Sequence, residues 1–204
     1  MKKIFVTVAT LFLIGLIAAS VCSLFTGNPI KKIYHNYAVK EYLIKQYPYY
    51  EFRNIKTYYN WEQNAYYALS ETVNFPQISA FKISFRKVAD GKTYYTDDLC
   101  ERVWTDEIRT IVEQKVHTLF HENNVDITVS IETKNKYSYI PLYKDVSQEE
   151  KYSTITIDIP TVYSDAHFNK VYNLVSTLKK HHVNHILVFF QDGTFFNFPN
   201  DEQF

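Results

Sequence analysis

The sequence predicts an α+β protein that begins with an apolar helix. Three observations predict it. Residues 4–26 run for 23 positions without a charge. Several short stretches alternate apolar and polar residues, the period of a strand with one buried face. Between them lie segments whose apolar residues recur at helical spacing.

The run from Ile4 to Thr26 comes first. At ~1.5 Å per residue it reaches about 34 Å, enough to cross a hydrocarbon core of about 30 Å. Lys2 and Lys3 precede it and hold the short N-terminus in the cytoplasm. Lys31 and Lys32 follow, which weakens the charge asymmetry without reversing it. Three readings of this segment stay open: an uncleaved anchor, a cleaved secretion signal and a lipoprotein signal. Ala18 and Ser20 give a small-x-small pattern that a signal peptidase accepts. A lipoprotein signal wants a small residue before the cysteine, and Val21 is branched and bulky. Apolar character also persists past Cys22, through Leu24 and Phe25. The full length of the run therefore favours an uncleaved anchor with Cys22 unlipidated. All three readings put residues 28–204 outside the cytoplasm, and the uncleaved anchor makes the chain a single-pass cell-membrane protein.

Asn28-Pro29 opens the next helix, since proline suits a first helical position. Ile30, Ile33, Tyr34, Tyr37 and Ile44 recur at helical spacing, so 30–46 reads as amphipathic. Tyr47-Pro48 ends it. Aromatic-rich extended stretches follow at 51–61, 65–73 and 78–88. In the last, Phe81, Ile83 and Phe85 alternate with Lys82, Ser84 and Arg86. Asp90-Gly91 signals a hairpin turn into a short strand at 92–96.

Asp97 or Asp98 caps a helix to about Glu122, with Trp104, Ile108, Ile111, Val112, Val116 and Leu119 as its stripe. Asn123-Asn124 stops it. Residues 125–131 alternate as a strand, 134–150 are a polar loop, and 155–159 alternate again up to Pro160. Ser164 caps a helix carrying Phe168, Val171, Val175 and Leu178, with Lys179 and Lys180 at its C-terminal end. Residues 186–190 read as a buried strand, and Asp192-Gly193 turns the chain into 194–198.

The order gives three parts: an anchor or signal segment (1–27), an α-β-β-β unit (28–97) and a second α+β unit (98–204) that can share the strands at 78–97. From 92 to 191 the order is β-α-β-β-α-β, a ferredoxin-like unit with its helices on one face of an antiparallel sheet.

Composition narrows the function classes. Basic and acidic residues number 22 each; without Lys2 and Lys3 the exported part has 20 against 22. No basic excess draws nucleic acid. Cys100 is the only cysteine after the apolar segment, so the exported part folds without an internal disulfide. With only 4 glycines, the chain has no phosphate-cradling loop or nucleophile elbow, and no cofactor is implied.

Two histidine groups are candidates for chemistry. His117 and His121 stand i, i+4 with Glu113 one turn earlier, a spacing that can present metal ligands on one helix face. They fall nearly opposite the apolar stripe, however, and neither His167 nor His185 can be placed as a third ligand, so a solvated helix face is the preferred reading and no metal is assigned. The segment 179–185, Lys-Lys-His-His-Val-Asn-His, reads as a polar helix end and loop. The pairs Tyr49-Tyr50, Tyr58-Tyr59, Tyr66-Tyr67 and Tyr94-Tyr95 lie in or beside strands, where neighbours face opposite sides. Each pair is expected to bury one ring and present the other. Residues 31–60 carry six basic and two acidic residues, a charge that suits anionic surfaces.

The apolar run, the tetrapeptide Gly27-Asn28-Pro29-Ile30, the segment YLIKQYPYYEF at 42–52 and the tyrosine-rich strands together resemble the YfjL-like small membrane proteins of Gram-positive bacteria, over about residues 1–97. The resemblance implies a membrane-anchored domain and brings no catalytic residues. The expected function is a membrane-anchored extracytoplasmic binding or interaction module, more in keeping with the sequence than an enzyme. Its expected partners are the membrane and a peptide, glycan or anionic surface polymer. The alternative is an exported hydrolase or metal-dependent enzyme using the histidines.

Overall fold

The structure, a computed structural model, describes residues 2–88, 91–122 and 125–199. The chain is α+β and packs as two compact units, Met1–Leu99 and Cys100–Phe204. Asp90 of the expected Asp90-Gly91 turn, and the expected Asn123-Asn124 helix stop, lie outside the described residues.

The first unit begins with α1 (Lys2–Thr26), and the helical segment that starts near the N-terminus is long and apolar enough to cross a membrane. Cys22 lies inside α1, which continues for one more turn. Near its end the Ser23 hydroxyl donates back to the Ser20 carbonyl (2.8 Å) and Thr26 to Cys22 (2.9 Å), so these polar side chains stay bonded to the helix itself. Gly27 ends the helix at φ 78°. A Cβ there would lie 2.6 Å from the Tyr59 Cβ, so glycine is required for close approach as well as for backbone angle. Asn28 then caps α2 (Pro29–Gln46): its Oδ1 accepts from the N–H groups of Ile30 (2.8 Å) and Lys31 (3.3 Å). Its own N–H donates to the Tyr66 hydroxyl (2.7 Å).

Four strands follow, β1 (Phe52–Asn60), β2 (Ala65–Thr72), β3 (Phe81–Lys87) and β4 (Thr93–Asp97). They form an antiparallel meander in that order. Helix α2 covers one face, with Val39 and Leu43 fully buried. The stripe Ile30, Ile33, Tyr34, Tyr37 and Ile44, read from the sequence as the apolar face, is the exposed side. The sheet-facing side carries mixed chemistry instead. His35 stacks on Phe85 at 4.5 Å, Asn36 accepts from Thr57 (2.7 Å) and Tyr42 donates to Asp97 (2.5 Å). A sheet face rich in rings and hydroxyls selects polar-aromatic partners, which periodicity in hydrophobicity alone does not mark.

The second unit contains α3 (Leu99–Phe120), β5 (Asp126–Thr133), a 3₁₀ turn (Tyr143–Asp145), β6 (Lys151–Ile159), α4 (Asp165–Lys180), β7 (His185–Phe190) and β8 (Phe195–Phe198). Trp104, Ile108, Val112 and Val116 of α3 and Val171, Leu174, Val175 and Leu178 of α4 share one core with Ile127, Ile155, Ile157, Ile186 and Val188. Both helices thus cover one face of the sheet, as the alternation in β5 and β6 predicts.

Two features of the ferredoxin-like expectation are corrected. The strand at Thr93–Asp97 pairs with β3 in the first sheet, with Phe85 opposite Tyr95, so the second unit runs α-β-β-α-β-β. A hairpin between neighbouring strands closes at low entropic cost and wins over a distant pairing. The second sheet is mixed rather than antiparallel: β6 and β7 run parallel, because α4 carries the chain back to the starting edge as a crossover.

Candidate functional site

The first sheet has a face turned away from α2. Alternation along β1 to β4 places Lys56, Tyr58, Tyr67, Leu69, Lys82, Ser84, Arg86, Tyr94 and Thr96 on it. The register sets the rings side by side. Tyr58 lies opposite Tyr67, their rings stacked at 5.5 Å and 19°. The Lys82 ammonium lies 5.1 Å from the Tyr67 ring centre, a cation–π contact. Arg86 lies opposite Tyr94, which is half-exposed. Of the acids nearby, Glu71 is bonded to Arg53 (3.0 Å) and Asn54 (2.9 Å), and Asp98 accepts the Lys82 backbone N–H (2.6 Å). The face is therefore a cationic, aromatic surface on a rigid sheet.

Three of the four tyrosine pairs point one ring to each face of the sheet, with the inner rings half-buried rather than buried. Tyr59, Tyr66 and Tyr95 face α2, with Tyr59 and Tyr66 packed at 4.8 Å and Tyr95 against Phe85 and Tyr42, while Tyr58, Tyr67 and Tyr94 face outward. The Tyr49-Tyr50 pair lies in the turn before β1. Burial raises the Tyr95 hydroxyl pKa, and burial followed by the Asp97 charge raises that of Tyr42. His35, deeper in the same layer, is held toward its neutral form by burial, then by Lys31 and Lys87.

The histidines go to separate places. His117 lines a shallow hollow of about 590 Å³ with Glu113, Gln114, Thr118, Glu122 and Val125. His121 is not on that helix face: α3 stops at Phe120, and His121 takes a left-handed φ of 60°. The i, i+4 pair expected on one helix is therefore broken by the helix end itself. His167 is part of the α4 cap, its Nδ1 accepting from the Ser164 N–H (3.1 Å), and its ring stacks on Phe190. His181 and His182 form the turn after α4, and His185 pairs with Asn197 (2.7 Å). Among the described residues, no group of three or more His, Cys, Asp or Glu side chains comes together in a metal-holding arrangement. Cys100 is buried in the second core.

One charged residue escaped the sequence reading. Lys151, at the start of β6, is 1% exposed. Its ammonium donates to the Val146 carbonyl (2.6 Å) and the Tyr143 carbonyl, and lies 3.9 Å from the Tyr143 ring centre. Burial lowers its pKa to about 8 against the pull of Asp145, Glu107 and other acids. Extending the 155–159 alternation back by two pairs marks position 151 as inward, which is the signal that was available. Beside it, a hollow of about 380 Å³ is lined by Glu107, Ile108, Ile111, Leu142, Tyr143 and His181, among others. Glu107 accepts the Tyr143 N–H there (3.0 Å), and burial raises its carboxyl pKa. Its side chain is thereby engaged in holding the 134–150 loop.

Residues 1–97 match the family model described as YfjL-like, N-terminal domain. No curated protein and no solved structure matches the chain. The match bears out the resemblance carried by Gly27-Asn28-Pro29-Ile30 and the segment 42–52. The tetrapeptide now has a physical reading: a helix end pressed on Tyr59, followed by the cap of the next helix. Over residues 1–97, the part that holds the first sheet, this chain is similar to the YfjL-like N-terminal domain.

Proposed function

We propose that the chain is a membrane-anchored, extracytoplasmic binding module, and that the outer face of the first sheet is its ligand surface. One observation carries this reading: Tyr58, Tyr67 and Tyr94 are presented beside Lys56, Lys82 and Arg86 on a face that α2 leaves uncovered. Tyrosine rings give flat apolar platforms, and the cations between them attract negative charge. Sugar rings with acidic substituents fit both features, so the ligand class is an anionic glycan or glycan-containing surface polymer. The basic excess of residues 31–60 favours the same sign of partner.

Two experiments test it. A Gln77→Cys variant in intact cells is expected to react with a membrane-impermeant maleimide, because the exposed β2–β3 connection is outside the cytoplasm; labelling only after lysis overturns the topology. The full chain in detergent micelles is expected to bind an immobilised polyuronate. Tyr67→Ala is expected to weaken that binding about tenfold, the order of one ring and one cation–π contact. Joint replacement of Lys56, Lys82 and Arg86 by alanine is expected to abolish it. Polyuronate binding that survives all these changes, or selective capture of neutral peptides instead, refutes this ligand assignment.

A further inference from the structure

The place where α1 ends is also where the β1–β2 hairpin turns. Trp61 begins that turn, and its ring centre lies 6.1 Å from that of Phe25, near the end of the apolar run. Gly27, two residues on, is pressed against Tyr59 and Tyr66 at the same end of the sheet. The Asn28 N–H bonds the Tyr66 hydroxyl and closes the joint. These contacts fix the height of Trp61 relative to α1, whatever the tilt of the helix. Both rings are exposed, Phe25 and Trp61 each at 58%, although they touch each other.

We infer that Trp61 is a lipid-contacting residue, seated in the headgroup layer of the membrane that α1 crosses. This rests on the anchored reading above. The apolar run ends at Thr26, so Phe25 marks the boundary of the hydrocarbon. A tryptophan held beside that boundary stands where indole rings are most at home, with an apolar body toward the chains and an N–H toward the headgroups. Glu62, next along the turn and exposed, keeps the tip shallow. Ile30, 75% exposed at the start of α2, adds apolar surface close to the same joint. The hairpin is therefore a second membrane contact, and it sets how close the first sheet stands to the bilayer.

The test uses the full chain reconstituted in vesicles of phosphatidylcholine and phosphatidylglycerol. Parallel samples carry phosphatidylcholine brominated high on the acyl chain, near the headgroup, or brominated near the chain end. The chain has two tryptophans, and Trp104 is fully buried in the second core. Shallow bromine is expected to quench about half of the emission and deep bromine much less. In Trp61→Phe the shallow quenching is expected to vanish while Trp104 emission remains. Equal quenching of wild type and Trp61→Phe, or none in either, with the chain floating among the vesicles and resisting carbonate extraction, overturns the placement of Trp61 alone. A chain that carbonate strips from the vesicles refutes the anchor, and the placement with it.

Discussion

The two four-stranded sheets are built from different materials. The second is closed by branched aliphatics: Ile127, Ile155, Ile157, Ile186 and Val188 meet Val112, Val116, Val171 and Leu174 from two helices. The first has one covering helix and is closed largely by rings. Tyr47 packs on Phe52, Phe52 on Phe81, His35 on Phe85, and Tyr42 on Tyr95. Their outer faces differ as well. The first presents tyrosines and cations, while the second presents Asp126 opposite Asp158 and Thr128 opposite Thr156. Aliphatic packing holds a sheet without polar partners. Rings with hydroxyls need hydrogen bonds, such as those of Tyr42 and Tyr47 to Asp97, and bring polarity into the layer. The many tyrosines thus serve two purposes in one unit, filling its interior and dressing its surface.

The largest test of this contrast replaces one aromatic ring in each unit. Trp104→Ala is expected to cost about 4 kcal/mol, because the ring is fully buried and its N–H is bonded to the Pro141 carbonyl (2.7 Å). Urea titration of the detergent-solubilised chain measures it; a loss below ~1.5 kcal/mol would mean that the core can close around the cavity. Gly27→Ala comes next, at about 2 kcal/mol or more, since φ 78° and a 2.6 Å approach to the Tyr59 Cβ both oppose a side chain. Thermal unfolding checks it, and a neutral result shows that the joint between α1 and the first sheet can give way.

Acid and base separate the units further. Lys151 keeps a folded pKa of about 8 against 10.5 in free chain, so below pH 8 the folded state bears the full cost of a buried charge. Stability of the second unit is expected to rise as pH goes from 8 toward 10, where the unfolded chain binds more protons. Lys151→Met removes the slope. Burial raises the Tyr143 pKa to about 12, so ionisation of that tyrosine in the unfolded state opposes the trend above pH 10, and the comparison belongs below it. His35 acts at the other end of the scale. Its folded pKa is lowered from 6.5, so the first unit is expected to lose stability as pH falls below 6.5, where the unfolded histidine takes up a proton first. Hydrogen exchange at pH 5 and 7, with and without His35→Phe, measures this smaller effect. Tyr67→Ala should cost least, about 1 kcal/mol, because its ring is only partly withdrawn from water. A cost equal to that of Trp104→Ala would erase the distinction between inner and outer rings.

Which residues share a face was legible in the sequence, and which strands pair was less so. The alternation of Ile155, Ile157 and Ile159 gave the buried side of β6, and Ser164 gave the start of α4. The tyrosine doublets gave the outer face of the first sheet through chain geometry alone. Alternation does not name a partner, however, so the strand at 93–97 was open to either sheet until the hairpin decided it. The α2 stripe misled for a related reason: the helix meets hydroxyls and rings, so its inner side does not stand out as hydrophobic. Lys151 and His121 were hidden because a charged residue inside and a left-handed histidine both run against the residue's ordinary preference.

The connection from Lys134 to Glu150 looks, by composition, like a segment that a protease or an exchanging solvent would find first. Its ends are joined by the Lys134 N–H and the Glu150 carbonyl (2.9 Å). Its middle is held by Tyr143, whose hydroxyl donates to Ser153 (2.6 Å), and by the Lys151 ammonium beneath it. Releasing the Tyr143 amide from Glu107 means exposing part of the second core. That amide is accordingly expected to exchange with the opening of the whole unit, on the time scale of the strands rather than of a loop. In kinetic terms the long polar connection is a part of the core that happens to lie on the surface.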